Sequence, residues 1–240
     1  MPFGQCCCPR VPFVLVGCGV VEFKKLLGER WSCRAYLPDP VPDAEMREMF
    51  AIAQRTASWC NTQPWQVFVT AGEATRRFGS GLTEHARTHA PEPDLTAPEG
   101  YYGIYLDRRR ECGFALYESL GIARDDKAAR AEQSLKNFDF FGAPHVAVIT
   151  TDRDQATYGA IDCGGYVANL INAATSLGIA TIPQAAIAMH SPYVREHFAL
   201  PDDRLVVCAV SFGYADLEHP ANGFRTTRAE VDDAITVVTD

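Results

Sequence analysis

The segment from residue 158 to residue 177 constrains the fold more than any other part of the chain. It is apolar over most of a helical circumference, and small residues such as Gly164, Gly165 and Ala168 recur along it. A helix that is apolar on all sides is normally buried, and small side chains let a second helix approach closely. We therefore expect a central helix here, with its small residues at a dimer interface.

Periodicity and turn residues place the strands and the other helices. Residues 65–70 alternate and follow Pro64, and the apolar segments 143–151 and 204–214 end in turn residues, so all three are predicted strands. Helices are predicted over residues 21–28, 42–55, 107–120 and 123–137. Because strands and helices do not alternate regularly, the predicted fold class is α+β.

Length and composition limit the architecture and the partners. With 240 residues, 47% of them hydrophobic, the chain can bury one substantial core, which favours a single domain. Residues 1–20 are interpreted as a disordered extension ahead of a domain that spans residues 21–240. The net charge of −8 argues against a nucleic-acid-binding surface. No segment is long and apolar enough to predict a membrane span.

The cysteines and histidines predict neither a disulfide framework nor a metal site. The nine cysteines are odd in number and contain no C-x-x-C pair. Such free thiols indicate a reducing, cytoplasmic location. His85 and His89 stand one helical turn apart, a spacing that metals can use, but no second matching pair accompanies them. We interpret them as surface histidines.

The first motif follows the first predicted helix. Arg30, Ser32 and Arg34 alternate within five residues, beside Trp31. In an extended segment alternate side chains point to one side, so two guanidinium groups and a hydroxyl would together suit a phosphate or an electron-rich ring edge. A plain polar loop is the alternative interpretation of this motif.

The second motif lies between a predicted helix and a predicted strand. It concentrates amide and hydroxyl groups beside indoles, in Ser58, Trp59, Asn61 and Gln63. Such a loop can hydrogen-bond the polar edge of a heteroaromatic ring while the indoles form apolar walls. A helix C-cap followed by an X-Pro turn is the alternative, and it accounts for Asn61 and Pro64 but not for the full motif.

These two motifs, in this order and spacing, resemble the opening of the FMN-dependent NAD(P)H nitroreductase family. Residues 178–186 resemble the flavin-contacting turn of that family, and residues 213–228 resemble its closing strand and basic phosphate-binding loop. One departure is Ala57, which stands where many members have proline. The resemblance implies a central, mostly antiparallel sheet flanked by helices, in a domain-swapped homodimer.

The resemblance also implies roles for individual residues. The FMN phosphate would be held by Arg30, Ser32, Arg225 and Arg228, and Arg34 would approach the pyrimidine edge of the flavin. The backbone of Pro183, Gln184, Ala185 and Ala186 would lie against the ring, with an amide near N5. The second subunit would contribute Ser58, Trp59 and Asn61, with Gln63 beside them. No catalytic side chain is implied, because hydride arrives at the flavin N5.

An aromatic segment is the candidate pocket for the acceptor. Residues 79–106 are rich in Gly and Pro and too long for a plain connection, so we predict a flap over about residues 79–110. Aromatic side chains bunch here and before the predicted strand 143–151, and those assigned to the acceptor are Tyr101, Tyr102, Tyr105, Phe138 and Phe141. For the phenylalanines, a role in the core is an equal alternative.

The resemblance implies a ping-pong reductase in which NADH or NADPH reduces FMN and a small aromatic acceptor, nitroaromatic or quinone, is then reduced. Two alternatives remain open from the sequence. One is a relative that uses the same flavin pocket for dehalogenation or flavin fragmentation. The other is a flavin-binding or storage protein without turnover. The sequence does not distinguish NADH from NADPH.

Overall fold

The computed structural model describes residues 22–239, so the predicted extension of residues 1–20 lies outside the described residues. The helices in this range are α1 (Phe23–Glu29), α2 (Asp43–Ala53), α3 (Glu73–Thr88), α4 (Gly103–Ser119), α5 (Lys127–Leu135), α6 (Ala156–Ser176), α7 (Ala185–Ala188) and α8 (Ser191–Phe198). The strands are β1 (Gln66–Ala71), β2 (His145–Asp152), β3 (Ala180–Gln184) and β4 (Arg204–Gly213). This irregular succession confirms the α+β class.

The four strands form one antiparallel sheet in the order β1-β2-β4-β3. Gln66 lies opposite Thr150 at the β1 edge, and Ala180 lies opposite Gly213 at the β3 edge. The predicted mostly antiparallel central sheet is confirmed. The sequence predicted β1, β2 and β4 to within two residues at each end, whereas β3 was predicted only as a turn.

Helices cover both faces of the sheet, and each face has its own core. On one face Ile149 and Val210 pack against α2 and α6. On the other face Val148 and Val206 pack against α3 and α8. Because alternate residues of a strand point to opposite faces, a strand covered on both sides must be apolar throughout, which explains the continuous apolar runs of β2 and β4.

The central helix predicted from the sequence is α6, but one side of it is not covered. Cys163, Tyr166 and Leu170 pack against the sheet. The opposite side carries Tyr158 and Ile161, which are 53% and 58% exposed. The apolar pattern that predicted burial all round therefore leaves an apolar surface on the single chain, to which Gly164 and Ala168 also belong.

The predicted flap is shorter than expected. Residues 79–88 belong to α3 and residues 103–110 to α4, so the irregular segment is 89–102. Gly79 and Gly81 favoured the prediction of a flap from residue 79 because glycine usually destabilises a helix. Here both permit close packing: a Cβ on Gly79 would lie 3.1 Å from the Phe140 ring, and one on Gly81 would clash with the Tyr193 hydroxyl.

Candidate functional site

The first motif runs in extended conformation along the β3 edge of the sheet. Ser32 forms a parallel bridge with Thr181, and the Cys33 N–H donates to the Thr181 carbonyl oxygen at 2.9 Å. Arg30 ends α1 with extended dihedral angles. The extended segment that the alternating pattern predicted is therefore present, and it is fixed to the sheet by main-chain hydrogen bonds.

The C-terminal loop is joined to this first motif. The Asp216 N–H donates to the Ala35 carbonyl oxygen at 3.1 Å, and the Leu37 N–H donates to the Tyr214 carbonyl oxygen at 2.8 Å. The Asn222 side chain hydrogen-bonds to the same segment, a role that was not predicted from the sequence. The signal available in the sequence was an asparagine between Pro220 and Gly223 at the entry to a basic loop.

Four arginines from the two ends of the chain meet here. The Arg225 guanidinium lies 4.3 Å from the centre of the Trp31 ring, and the Arg34 guanidinium lies 5.4 Å from that of Phe224. Burial lowers the pKa of Arg30, and the neighbouring charge of Arg228 lowers it further. Burial also lowers the pKa of Arg34.

None of these four arginines forms an ion pair with a carboxylate in residues 22–239. Arg225 and Arg228 instead donate to oxygens of their own loop, such as the carbonyls of Asn222 and Thr227. Gathering like charges without a counter-ion is unfavourable, so the cluster is suited to bind an anion. The residues present therefore fit a phosphate group.

A turn between β3 and α7 lies beside this cluster. Pro183 and Ala185 are exposed. The Gln184 side chain points inward, where its Oε1 accepts from the Ser211 hydroxyl at 2.5 Å and its Nε2 donates to the Asn137 carbonyl oxygen at 2.9 Å. The first N–H groups of a helix lack intrahelical acceptors. The exposed surface of the turn therefore consists of backbone and of small side chains such as Ala185 and Ala186. The side-chain amide of Gln184 is not part of that surface.

The second motif forms an exposed loop with an unusual backbone. Cys60, Asn61 and Gln63 all have positive φ, between 48° and 56°. The Gln63 N–H donates to the Ser58 hydroxyl at 2.9 Å, and its side-chain amide donates to the Asn61 side-chain oxygen at 3.2 Å. Non-glycine residues at positive φ are strained, by roughly 1–3 kcal/mol each, and such strain concentrates at functional sites.

The two motifs lie at opposite ends of α6. Trp59 packs on the Tyr158 ring, with centres 4.1 Å apart, and its N–H donates to Asp162 at 3.1 Å. At the other end, Arg30 and Trp31 line a cavity of about 370 Å³ together with Thr175. The helical rise puts Tyr158 and Thr175 about 26 Å apart. A single chain therefore does not bring the two motifs together.

The predicted acceptor residues separate into two groups. Tyr101, Tyr102 and Tyr105 are exposed, and the Arg109 guanidinium lies 5.2 Å from the centre of the Tyr101 ring. By contrast Phe141 is 8% exposed, and Phe138 packs against the core beside α3 and α8. These positions favour the alternative for Phe138 and Phe141, a role in the core, over a place in the acceptor pocket.

The tyrosine-bearing helix α4 is close to the arginine cluster. Glu111 of α4 accepts a hydrogen bond from the Thr227 hydroxyl at 2.9 Å. Cys112 lies near enough to Arg34 to influence the pKa of that guanidinium. Tyr105 precedes Cys112 by seven residues, two helical turns, and therefore shares its side of the helix. This position is compatible with tyrosines at the rim of the site.

Histidines gather away from the arginines. The His85 and His89 rings stack with centres 4.0 Å apart, and His190 meets His85 edge-on at 5.3 Å. Burial lowers the pKa of His85 and of His190. Across residues 22–239 no three His, Cys, Asp or Glu side chains are grouped as metal ligands. In the same range, no helix is both long and apolar enough to cross a membrane.

Comparison with known proteins places these features in a family. The family model described as "Nitroreductase family" matches residues 27–214. A curated relative, nitroreductase NfnB of Mycolicibacterium smegmatis, is 36% identical over 208 residues, which are 86% of this chain and 88% of that protein. The 4-nitrobenzoate reductase of a Nocardioides species is 32% identical over 226 residues, 92% of each chain.

Solved structures give the same result. The crystal structure of the FMN-dependent nitroreductase NfnB from Mycobacterium smegmatis in complex with NADPH superposes with a TM-score of 0.85, at 34% identity over 90% of this chain and 97% of that one. The FMN- and NADPH-dependent nitroreductase NfnB of Sphigopyxis sp. strain HMH superposes with a TM-score of 0.87, at 32% identity over 92% of this chain and 100% of that one.

Proposed function

The chain belongs to the nitroreductase family, and we propose on this premise that it is an FMN-dependent oxidoreductase that transfers hydride from NADPH to nitroaromatic or quinone-type acceptors in a ping-pong reaction. The observation that carries the proposal is the cluster of four arginines, none of which pairs with a carboxylate within residues 22–239, beside a turn of small residues. The choice of NADPH is supported by relatives that are described as binding or depending on it.

On this proposal each end of the chain contributes to the cofactor site. The FMN phosphate would be held by Arg30, Ser32, Arg225 and Arg228. Trp31 supports the Arg225 guanidinium through a cation–π contact at 4.3 Å. The backbone of the turn from Pro183 to Ala186 would lie against the flavin ring, and Gln184 fixes that turn from inside through Ser211 and Asn137.

Bound FMN would supply the two-electron carrier that takes hydride from NADPH and passes it to the acceptor. The chain supplies binding, orientation and charge. Arg34 is a partly buried cation whose head group is oriented by the Ser32 carbonyl oxygen at 3.1 Å. At the pyrimidine edge of bound FMN, this cation would stabilise negative charge on the reduced flavin. No side-chain acid or base is assigned, because hydride transfer itself needs none.

We also propose that the working form is a twofold-symmetric homodimer packed through α6. The exposed apolar side of α6 supports this, as does α4, whose 17 residues include none that is buried. If two α6 helices pack antiparallel, the loop of Ser58, Trp59, Asn61 and Gln63 in one subunit meets the first motif of the other. That arrangement would remove the separation of about 26 Å between the motifs.

Flavin storage without turnover is the second candidate, and the same preparation distinguishes the two. The protein is purified, its flavin is identified after denaturation, and the holoprotein is titrated anaerobically with NADPH and with NADH. We expect FMN that NADPH bleaches and that 4-nitrobenzoate or a quinone restores. Release of FAD, or failure to load any flavin, contradicts the cofactor assignment. Flavin that dithionite reduces but neither nicotinamide reduces supports storage.

A cytoplasmic location is part of the proposal and rests on the cysteine usage of the sequence. It is checked by fractionation of cells that express the full chain, with its own N-terminus and a C-terminal tag. Recovery of FMN-dependent activity with membranes or outside the cytoplasm would contradict it.

A further inference from the structure

We infer that Asn222 is a positioning residue of the FMN site, which holds the arginines from the two ends of the chain in one fixed arrangement. The inference rests on the proposed function, because it concerns how those arginines meet FMN. Asn222 touches neither cofactor nor substrate in this account. It acts through the backbone of Arg34 and through the head group of Arg225.

The Asn222 side chain is buried and fully hydrogen-bonded. It is 3% exposed. Its Oδ1 accepts from the Arg34 N–H at 2.7 Å, and its Nδ2 donates to the carbonyl oxygens of Ala35 at 2.9 Å and Asp216 at 2.7 Å. The amide thus uses its oxygen and both N–H groups, and two of the three bonds fix the backbone immediately around Arg34.

The main chain of Asn222 connects to the other end of the arginine cluster. Its carbonyl oxygen accepts from the Arg225 guanidinium at 2.8 Å, which helps to hold that group over the Trp31 ring. Asn222 is the last residue of a 3₁₀ turn, Pro220–Asn222, in which His219 Nδ1 accepts from the Ala221 N–H at 3.1 Å. Asn222 therefore helps to position two arginines, Arg34 from the first motif and Arg225 from the C-terminal loop.

The pattern of bonds explains why the residue is asparagine. The site requires one acceptor and two donors on a single neutral group, and a carboxamide provides them. An aspartate would turn an oxygen toward the carbonyls of Ala35 and Asp216, and it would put a negative charge beside Arg34. An alanine would leave the Arg34 N–H without its acceptor and would remove one donor from each of the carbonyl oxygens of Ala35 and Asp216, and a buried N–H without a partner is costly.

A role confined to fold stability would predict a different outcome from a positioning role. If Asn222 only stabilises the chain, its loss should act like the loss of any buried polar residue. Thr75 provides the matched control, because it is 4% exposed and its hydroxyl makes hydrogen bonds of 2.9 Å to Thr70 and 3.0 Å to the Pro144 carbonyl. It lies at the β1 edge, across the sheet from the arginines.

The experiment compares N222A, N222D and T75V in the FMN-reconstituted protein. We expect the two Asn222 variants to bind FMN about tenfold more weakly or worse, because N222A leaves the buried Arg34 N–H without an acceptor and N222D turns an oxygen toward two carbonyl oxygens. Their flavin midpoint potential should also fall, because Arg34 is displaced or partly neutralised. T75V should lose thermal stability and keep the wild-type affinity and potential.

A pH titration keeps the inference testable where a variant folds poorly. In N222D the new carboxyl regains a donor when it is protonated, so FMN affinity relative to wild type should recover as the pH is lowered. Wild-type affinity and potential in both Asn222 variants overturn the inference, and so does a loss of affinity in T75V of equal size. A wild-type chain that takes up no FMN overturns the proposed function, and the inference with it.

Discussion

The arginine cluster and the Trp59 loop differ in how far a single chain completes them. The cluster is tied to the sheet edge and to the C-terminal loop by main-chain bonds and by the buried Asn222. The loop has three strained residues and an indole that is 58% exposed. The arginine cluster is complete within one chain, whereas the Trp59 loop projects from that chain.

This difference indicates how the site is divided. Charged groups must be held rigidly to bind a phosphate, because a misplaced guanidinium loses its bidentate geometry. An aromatic wall tolerates more variation and can be supplied by a neighbour through close packing. We therefore expect that breaking the proposed contact between subunits abolishes FMN binding, although the arginine cluster and the Trp59 loop each keep their local structure.

The largest effect is expected from a charge on the exposed side of α6. Ala168→Arg should abolish the dimer and with it nearly all bound FMN, because an unpaired guanidinium cannot be buried between two apolar helices. Sedimentation should then show a species of 26.4 kDa without flavin absorbance. Ala131→Arg, on the exposed side of α5, is the control and should leave the dimer loaded. A flavin-loaded dimer of Ala168→Arg would show that the subunits meet elsewhere.

A mixed dimer tests the division directly. One chain carries Arg225→Ala with Arg228→Ala, and the other carries Trp59→Ala with Asn61→Ala. Each homodimer should bind FMN poorly, but a mixed dimer regains one intact site because the unmodified arginines meet the unmodified loop. The measurement is FMN bound per tagged, purified mixed dimer. A mixed dimer no better than its parents would place both motifs in the same subunit's site.

A smaller effect, on the midpoint potential of FMN, is expected from a change of Arg34, which belongs to the arginine cluster. Arg34→Ala removes a charge-assisted contact worth roughly 1.5–3 kcal/mol, so the two-electron midpoint potential of FMN should fall by about 30–65 mV. Spectroelectrochemistry measures this shift. Arg34→Lys keeps a cation and should recover part of it. An unchanged potential in Arg34→Ala would mean that this arginine does not face the flavin ring.

The smallest effects are expected from the exposed tyrosines. Changed singly to alanine, Tyr101, Tyr102 and Tyr105 should alter kcat/KM for a nitroaromatic several-fold while the melting temperature stays nearly constant, since exposed side chains contribute little to stability. Phe138→Leu is the control: it should lower the melting temperature and leave acceptor preference alone. If the tyrosine variants lose stability and keep their acceptor preference, the acceptor pocket lies elsewhere.

Local chemistry in the sequence predicted the extended first motif, whereas Arg225 and Arg228 were assigned from the family resemblance. Alternation of Arg30, Ser32 and Arg34 predicted an extended segment with one functional side, and that segment is present. The long apolar segments predicted α6, β2 and β4 because burial on both sides of a strand leaves no polar positions. These features depend on neighbouring residues and on the periodicity of apolar positions, both of which are visible in a single sequence.

Features that depend on distant contacts were missed. The glycines of α3 were interpreted as loop residues because the sequence does not reveal that Phe140 and Tyr193 approach them. The neighbours of Asn222 in the sequence did not reveal its role, since its partners Arg34 and Ala35 lie at the other end of the chain. Phe138 and Phe141 were assigned to a pocket because composition alone does not tell an interior ring from one at a surface.

The joining of the two chain ends has a consequence for the order of events during synthesis. Arg34 and Asn222 are 188 residues apart. At translation rates of about 5–20 residues per second, the first arginines wait roughly ten to forty seconds before the loop that completes the cluster is made. A nascent chain, or one truncated before residue 222, has no complete phosphate site. Uptake of FMN should therefore be among the last steps of maturation, and it would distinguish finished chains from unfinished ones.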